Sequence, residues 1–251
     1  MPENERPLRI LVTNDDGIDA PTLLSLVETA VKFGEVTVAA PAAQCSAMSQ
    51  RLTLFEEITA EEVDYPVPGV KAWKIGGTPA DCIKLAAWSL VPEKPDIVFS
   101  GMNRGYNTGY DIAYSGTIGA CKEAAIKGIP SIAFSTANHG SGEVPAAYLE
   151  EMTAECLAHP LPLGAFWNIN FPGCPLSEFK GIIRNTKIAP TPLYADEYST
   201  ESVPGGPLRF KAHGRALQPD EAPEGTDVWA VLNGYISVGI VHSEVFPENY
   251  Q

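Results

Sequence analysis

Short apolar runs that stop at polar residues alternate along this chain with segments whose apolar positions recur every three or four residues. The run at residues 9–14 (RILVTN) has the pattern of a buried parallel strand that feeds a loop at its carboxyl end. Pro21 then opens a segment in which Leu23, Leu24, Val27, Ala30 and Val31 keep helical spacing, with Gly34 at the C-cap position. Residues 36–40 read as a second strand, and periodicity is weak over residues 51–76. Thr78-Pro79-Ala80-Asp81 then has the form of a capping box, with Thr78 at N-cap, Pro79 at N1 and Asp81 at N3, and predicts a helix to about Leu90.

A strand is expected at residues 96–99, followed by the loop SGMNRG, a helix over 116–128 and another strand over 129–134. A helix at 145–158 follows. Beyond it the pattern turns to strand-like runs at 167–171, 181–189, 208–213 and 235–241, separated by Pro/Gly-rich turns. Strands that alternate with helices across short connections predict a doubly wound, mostly parallel α/β sheet with helices on both faces. Residues 1–251 read as one domain, with the core pattern in 1–135. Residues 136–251 add further core elements and a β-rich extension that forms part of an oligomer surface.

Composition narrows the function. With 251 residues and 45% hydrophobic content the chain is long enough for a sizeable core. The opening MPENERPLRI lacks the apolar centre of a signal peptide, and no stretch approaches the roughly 20 apolar residues of a membrane span. Cys45, Cys82, Cys121, Cys156 and Cys174 are odd in number and never form C-x-x-C, as expected of buried thiols in the cytoplasm rather than of disulfides or a zinc site. A formal net charge of −14 disfavours nucleic-acid polymers and anionic membranes, which need a basic counter-surface. A small anion remains a suitable partner where a metal offsets the field.

The candidate chemistry starts at Thr13-Asn14-Asp15-Asp16-Gly17, two adjacent carboxylates at the carboxyl end of the first strand, where open α/β sheets bind ligands. A helix cap beside a solvated Asp gives the same pattern. Ser46 follows the second strand and Asn103 follows the strand at 96–99, so Asp15, Asp16, Ser46 and Asn103 form an all-oxygen set suited to one Mg²⁺ or Mn²⁺ rather than to zinc. Ser115-Gly116-Thr117 opens the next helix, where free N–H groups and hydroxyls suit a phosphate, although an ordinary Ser/Thr cap looks alike. Arg104 and Lys122 are nearby cations, and Tyr106, Tyr110 and Tyr114 offer either stacking on a base or plain packing.

Five segments, ILVTNDDGI, GTPADCIKLA, SGMNRGYNTGYDIAYSGTIGA, GIPSIAFS and GTDVWAVLNGYISV, together resemble the stationary-phase survival protein SurE family. That resemblance implies a Rossmann-like core with a β-rich extension, a homodimer or homotetramer with exchanged C-terminal segments, and 5'- and 3'-nucleotidase activity on nucleoside monophosphates. It also implies that Asp15, Asp16, Ser46 and Asn103 are metal ligands and that Ser115 and its neighbours bind phosphate. His242 stands where similar proteins often carry a histidine, and its role stays open. The loop Ala40-Pro41-Ala42-Ala43-Gln44-Cys45-Ser46-Ala47 departs from the family pattern, losing an Asp/Arg pair and the glycine after Ser46.

Direct hydrolysis is the expected route: Asp15, Asp16 and Asn103 act around a metal-activated water, with Asn103 and the helix end at Ser115 steadying the charge. Asp15 is a candidate to accept that water's proton. No Asp-x-Asp couple supports a dehalogenase-type phosphatase, no G-x-S-x-G elbow supports a serine hydrolase, and no G-x-G-x-x-G follows the first strand. The alternative from another class is a non-catalytic metal- or nucleotide-binding sensor.

Overall fold

The computed structural model describes residues 6–203 and 205–243, without the side chains of residues 195 and 196. Residues 1–5 of the stretch read for a leader, and residues 244–251 of the C-terminal segment expected to exchange, lie outside the described residues. The strands are β1 (Leu8–Thr13), β2 (Gly34–Pro41), β3 (Ala60–Val63), β4 (Lys71–Ile75), β5 (Ile97–Arg104), β6 (Ser131–Thr136), β7 (Ala165–Phe171), β8 (Gly181–Arg184), β9 (Tyr194–Ser202), β10 (Leu208–Ala216) and β11 (Tyr235–His242). The α-helices are α1 (Pro21–Ala30), α2 (Pro79–Leu85), α3 (Gly116–Ile126), α4 (Glu143–Ala158) and α5 (Asp227–Leu232).

Nine of these strands form one sheet in the order β3-β4-β2-β1-β5-β6-β7-β11-β8, and β9 and β10 pair apart as an antiparallel ribbon. Pairing is parallel except at β3/β4 and β7/β11. Alternate residues of each central strand face opposite layers, which is why their apolar runs are continuous. Ile10 and Val12 of β1 and Ile97 and Phe99 of β5 pack with Leu23, Leu26 and Val27 of α1 and with Val144 and Met152 of α4. Leu11 and Val98 face the other way, onto Cys82 and Ile83 of α2 and Ala120 and Ala124 of α3. The result is a doubly wound sheet between two helical layers, as expected.

The capping box is present in full: Asp81 N donates to Thr78 Oγ1 at 3.2 Å and Thr78 N to Asp81 Oδ2 at 3.0 Å. Other expectations need correction. Gly34 does not cap α1. It opens β2, where an added Cβ would stand 2.1 Å from Leu8 O, so close strand approach is what requires glycine there. SGMNRG is largely strand, because β5 resumes pairing with β6 at Asn103 and Arg104 after a register shift past Ser100. Gly101 allows that kink at φ 131°, where a Cβ would meet Phe134 O at 2.2 Å. The run expected at 181–189 stops at Arg184, and Asn185 in the left-handed region (φ 58°) turns the chain away.

The structure adds strands β3 and β4 within the weakly periodic segment, and β9 and α5 beyond the expected elements. Strand β3 is a mostly exposed four-residue edge strand, and every described residue of β9 after Leu193 is exposed, so no apolar alternation marks either. Helix α5 spans six residues, too few for helical periodicity to register.

Candidate active site

Chain order and sheet order part company at β1. From β1 the chain moves outward to β2 and β4, then returns to place β5 on the other side of β1. Such a reversal opens a crevice past the carboxyl ends of the two strands, and both begin or carry candidate residues there. Asp15 and Asp16 follow β1, and Asn103 and Arg104 close β5.

Asp15 is 3% exposed, and its Oδ1 accepts the Thr117 hydroxyl at 2.7 Å. Burial pushes its carboxyl up to about 6, with the Thr117 hydrogen bond pulling the other way and the Asp16 charge adding to the rise. Asp16 is half-buried and Oδ2 accepts Arg104 N–H at 3.2 Å, which ties the β1 loop to the end of β5. Gln44 Nε2 lies 3.5 Å from Asp16 Oδ1. Asn103 donates Nδ2 to Gly105 O at 2.8 Å, and its Oδ1 makes no hydrogen bond among the described residues.

The β2 loop reaches the same place. Cys45 N donates to Asp15 O at 2.7 Å, and a Cβ on Gly116 would stand 2.9 Å from Asp15 Cβ and 3.2 Å from Cys45 O. Helix α3 therefore starts directly against the acidic loop and the segment bearing Ser46. Ser46 is exposed and its hydroxyl makes no hydrogen bond among the described residues. Burial raises the adjacent Cys45 thiol, and Asp15 adds to the rise.

The phosphate candidates divide. Ser115 Oγ caps α3 by accepting Ile118 N–H at 3.1 Å, and the Thr117 hydroxyl hydrogen is committed to Asp15. The backbone N–H groups of the first turn, Gly116 among them, are the donors that a helix start leaves outward. Tyr106 is half-buried and accepts Gly173 N–H at 2.9 Å, whereas Tyr110 and Tyr114 are exposed. His242 pairs with Ala165, the first residue of β7, so it sits at the opposite rim of the sheet from Asp15. Lys122 is half-buried in α3, and Arg104 spends one guanidinium N–H on Asn138 O at 3.2 Å.

Several residues that hold this rim together carried no signal in the sequence. Asn107 N–H donates to Asn170 Oδ1 at 2.8 Å and its side chain to Ser135 Oγ at 2.7 Å, while its carbonyl accepts from Asn168 and Asn170. Buried Asp227 accepts N–H groups of Gly109, Ala189 and Val228 at 2.8–3.0 Å, although burial still pushes its carboxyl up. Only Thr226-Asp227 ahead of an apolar run hinted at a helix start there.

Two carboxylates, a hydroxyl and an amide oxygen are hard donors that suit Mg²⁺ or Mn²⁺. Buried Asp15 faces no cationic side chain in its hydrogen bonds, and Gly116 lets α3 start so close to it that a Cβ there would stand 2.9 Å from Asp15 Cβ. Among the described residues no group of three or more His, Cys, Asp or Glu offers a competing site.

Comparison with known proteins gives the family. A family model for survival protein SurE matches residues 10–192. The chain belongs to the survival protein SurE family. It is 39% identical over 243 residues to 5'-nucleotidase SurE of Trichormus variabilis, covering 92% of this chain and 91% of that protein. Identity to 5'-nucleotidase SurE of Flavobacterium johnsoniae is 36% over 241 residues, covering 94% and 91%. The crystal structure of SurE protein from Aquifex aeolicus superposes with a TM-score of 0.80 at 33% identity, covering 96% of this chain and 95% of that one. The family match includes every candidate ligand at the rim and leaves His242 outside it. No helix among the described residues is long and apolar enough to cross a membrane.

Proposed function

We propose that this chain is a 5'-nucleotidase that hydrolyses nucleoside 5'-monophosphates, and 3'-monophosphates as well, to nucleoside and phosphate with one divalent ion per subunit. Support comes from the 5'-nucleotidase name of its relatives and from one observation above all: the acidic loop, the Ser46 loop, the end of β5 and the start of α3 meet at the switch point. Asp15, Asp16, Ser46 and Asn103 would hold Mg²⁺ or Mn²⁺. When bound, such an ion supplies positive charge to the phosphoryl oxygens and acidifies a water.

The chain's own groups do the rest. Thr117 orients Asp15 through Oδ1, and Oδ2, free of that bond, takes the proton that the attacking water sheds. Arg104 N–H steadies Asp16. The N–H groups at the start of α3, with Gly116 allowing close approach, stabilise the charge of the transferring phosphoryl group. Ser115 keeps that turn formed by capping it.

Purified protein should release phosphate from AMP or GMP with Mn²⁺ or Mg²⁺ and stop with EDTA. Nucleotide binding without turnover would favour a sensor instead, and turnover indifferent to EDTA would remove the metal from the scheme. The reading extends to assembly and place. Free, scattered cysteines suit the cytoplasm, and the β9/β10 ribbon exposes Tyr198 (64%), Leu208 (61%) and Phe210 (64%) as an apolar homodimer or homotetramer surface. Replacing Leu208 and Phe210 by Ser should shift the mass measured by light scattering towards monomer, and an unchanged mass would count against that surface.

A further inference from the structure

The Ser46 segment is tied at both ends to the elements that carry the other site residues. At one end Cys45 N–H donates to Asp15 O at 2.7 Å. At the other, Ser49 N–H donates to Tyr114 O at 2.8 Å and the Ser49 hydroxyl to Ala113 O at 2.8 Å. Three residues, Ser46, Ala47 and Met48, span the interval. Ser46 thus hangs between one tether on the β1 loop and another on the residues that lead into Ser115.

The second tether is made with care. Ser49 and Ala47 both take left-handed conformations (φ 52° and 57°), which side chains other than glycine adopt only at a cost. The fold accepts that cost where Ser49 lies flat on α3: a Cβ at Gly119 would stand 2.1 Å from Ser49 O and 2.9 Å from Gln50 N. Beyond Ser49 the chain stays fastened, with Gln50 Nε2 donating to buried Glu123 at 3.0 Å and Thr78 Oγ1 to Arg51 O at 2.6 Å.

We infer that Ser49, seated on Gly119, is a positioning residue that fixes Ser46 against Asp15 and the start of α3. The inference rests on Ser46 being a donor to the divalent ion. Without the Ser49 hydroxyl the second tether falls back on the single Ser49 N–H bond to Tyr114 O, and the Ser46 oxygen is held less tightly at its distance from Asp15. Ligand-supporting residues of this kind commonly change metal affinity by about 10–100-fold.

The test uses the full chain and Mn²⁺ alone, with free Mn²⁺ followed by electron paramagnetic resonance, beside thermal melts and AMP kinetics. Ser49→Gly suits the left-handed turn and removes the hydroxymethyl group that bonds Ala113 O, so it should fold. Gly119→Ala pushes the same segment off α3 from the other side. Both should raise the Mn²⁺ Kd by about tenfold or more, and at saturating Mn²⁺ both should lower kcat more than they raise KM. A lower Tm with unchanged Mn²⁺ affinity would make Ser49 merely structural and overturn the inference. Should Gly119→Ala not fold, Ser49→Gly decides alone. Absence of Mn²⁺ binding in the unaltered protein would instead overturn the metal reading, and this inference with it.

Discussion

Gly116→Ala separates stability from activity at the centre of the candidate site. The new methyl would stand 2.9 Å from Asp15 Cβ, 3.1 Å from Asp15 Oδ2 and 3.2 Å from Cys45 O. Those contacts are tighter than packing allows, and overpacking of this size costs about 1–3 kcal/mol. Against it, alanine is better than glycine in a helix by about 0.5–1 kcal/mol, and Gly116 has no left-handed φ to lose. The net loss is therefore about 0–2.5 kcal/mol, or at most roughly 10 °C in Tm for a domain of this size. Activity should suffer far more. Pushing Asp15 and the start of α3 apart by a fraction of an ångström to 1 Å misaligns the reacting groups, and such displacement costs about 100-fold in kcat/KM. Phosphate release from AMP at saturating Mn²⁺, measured well below the melting transition, gives the comparison. A folded Gly116→Ala protein with unaltered kcat/KM would mean that the meeting of Asp15, Cys45 and α3 is not where the chemistry happens.

Three further outcomes follow from particular contacts. Asp16→Asn should abolish turnover, whereas Cys45→Ala should reduce it much less, because the carboxylate supplies charge and the thiol does not; equal phosphate release from both variants would count against the assignment. Asp227→Asn should lower unfolding free energy by about 1–3 kcal/mol in urea titration, since the amide turns an acceptor into a donor facing the Gly109 or Ala189 N–H; an unchanged midpoint would show that the three-donor cradle contributes nothing. Arg6 and Arg9 hold the Asp96 carboxyl well below the usual range, with Arg6 contacts of 2.6 and 2.8 Å. Its contribution is complete above about pH 4 and fades as the pH falls through the lower folded value, so Asp96→Asn should flatten the acid limb of the stability profile. Parallel stability profiles of variant and parent from pH 2 to 6 would refute it.

Local signals were enough for the elements they concern. The run at 9–14, the helical spacing from Leu23 to Val31 and the Thr78/Asp81 box each encode a structure within a few residues, so strand β1 and helices α1 and α2 were legible before any tertiary information. The alternation of such elements gave the doubly wound class, and the acidic pair after β1 pointed to the rim that binds ligands. The three tethers that build the site were not legible, because they join residues 102, 88 and 30 positions apart: Thr117 to Asp15, Arg104 to Asp16, and Cys45 to Asp15. Sheet order decided those meetings by placing β2 and β5 on the two sides of β1. It also decided that His242, next to a strand of convincing pattern, ends at the far rim, because β11 runs antiparallel to β7. Sequence pattern determines which face of an element is apolar, since that depends on neighbours three or four residues away. Which polar ends come together depends on the order and direction of strands across the whole sheet, and only the folded chain carries that.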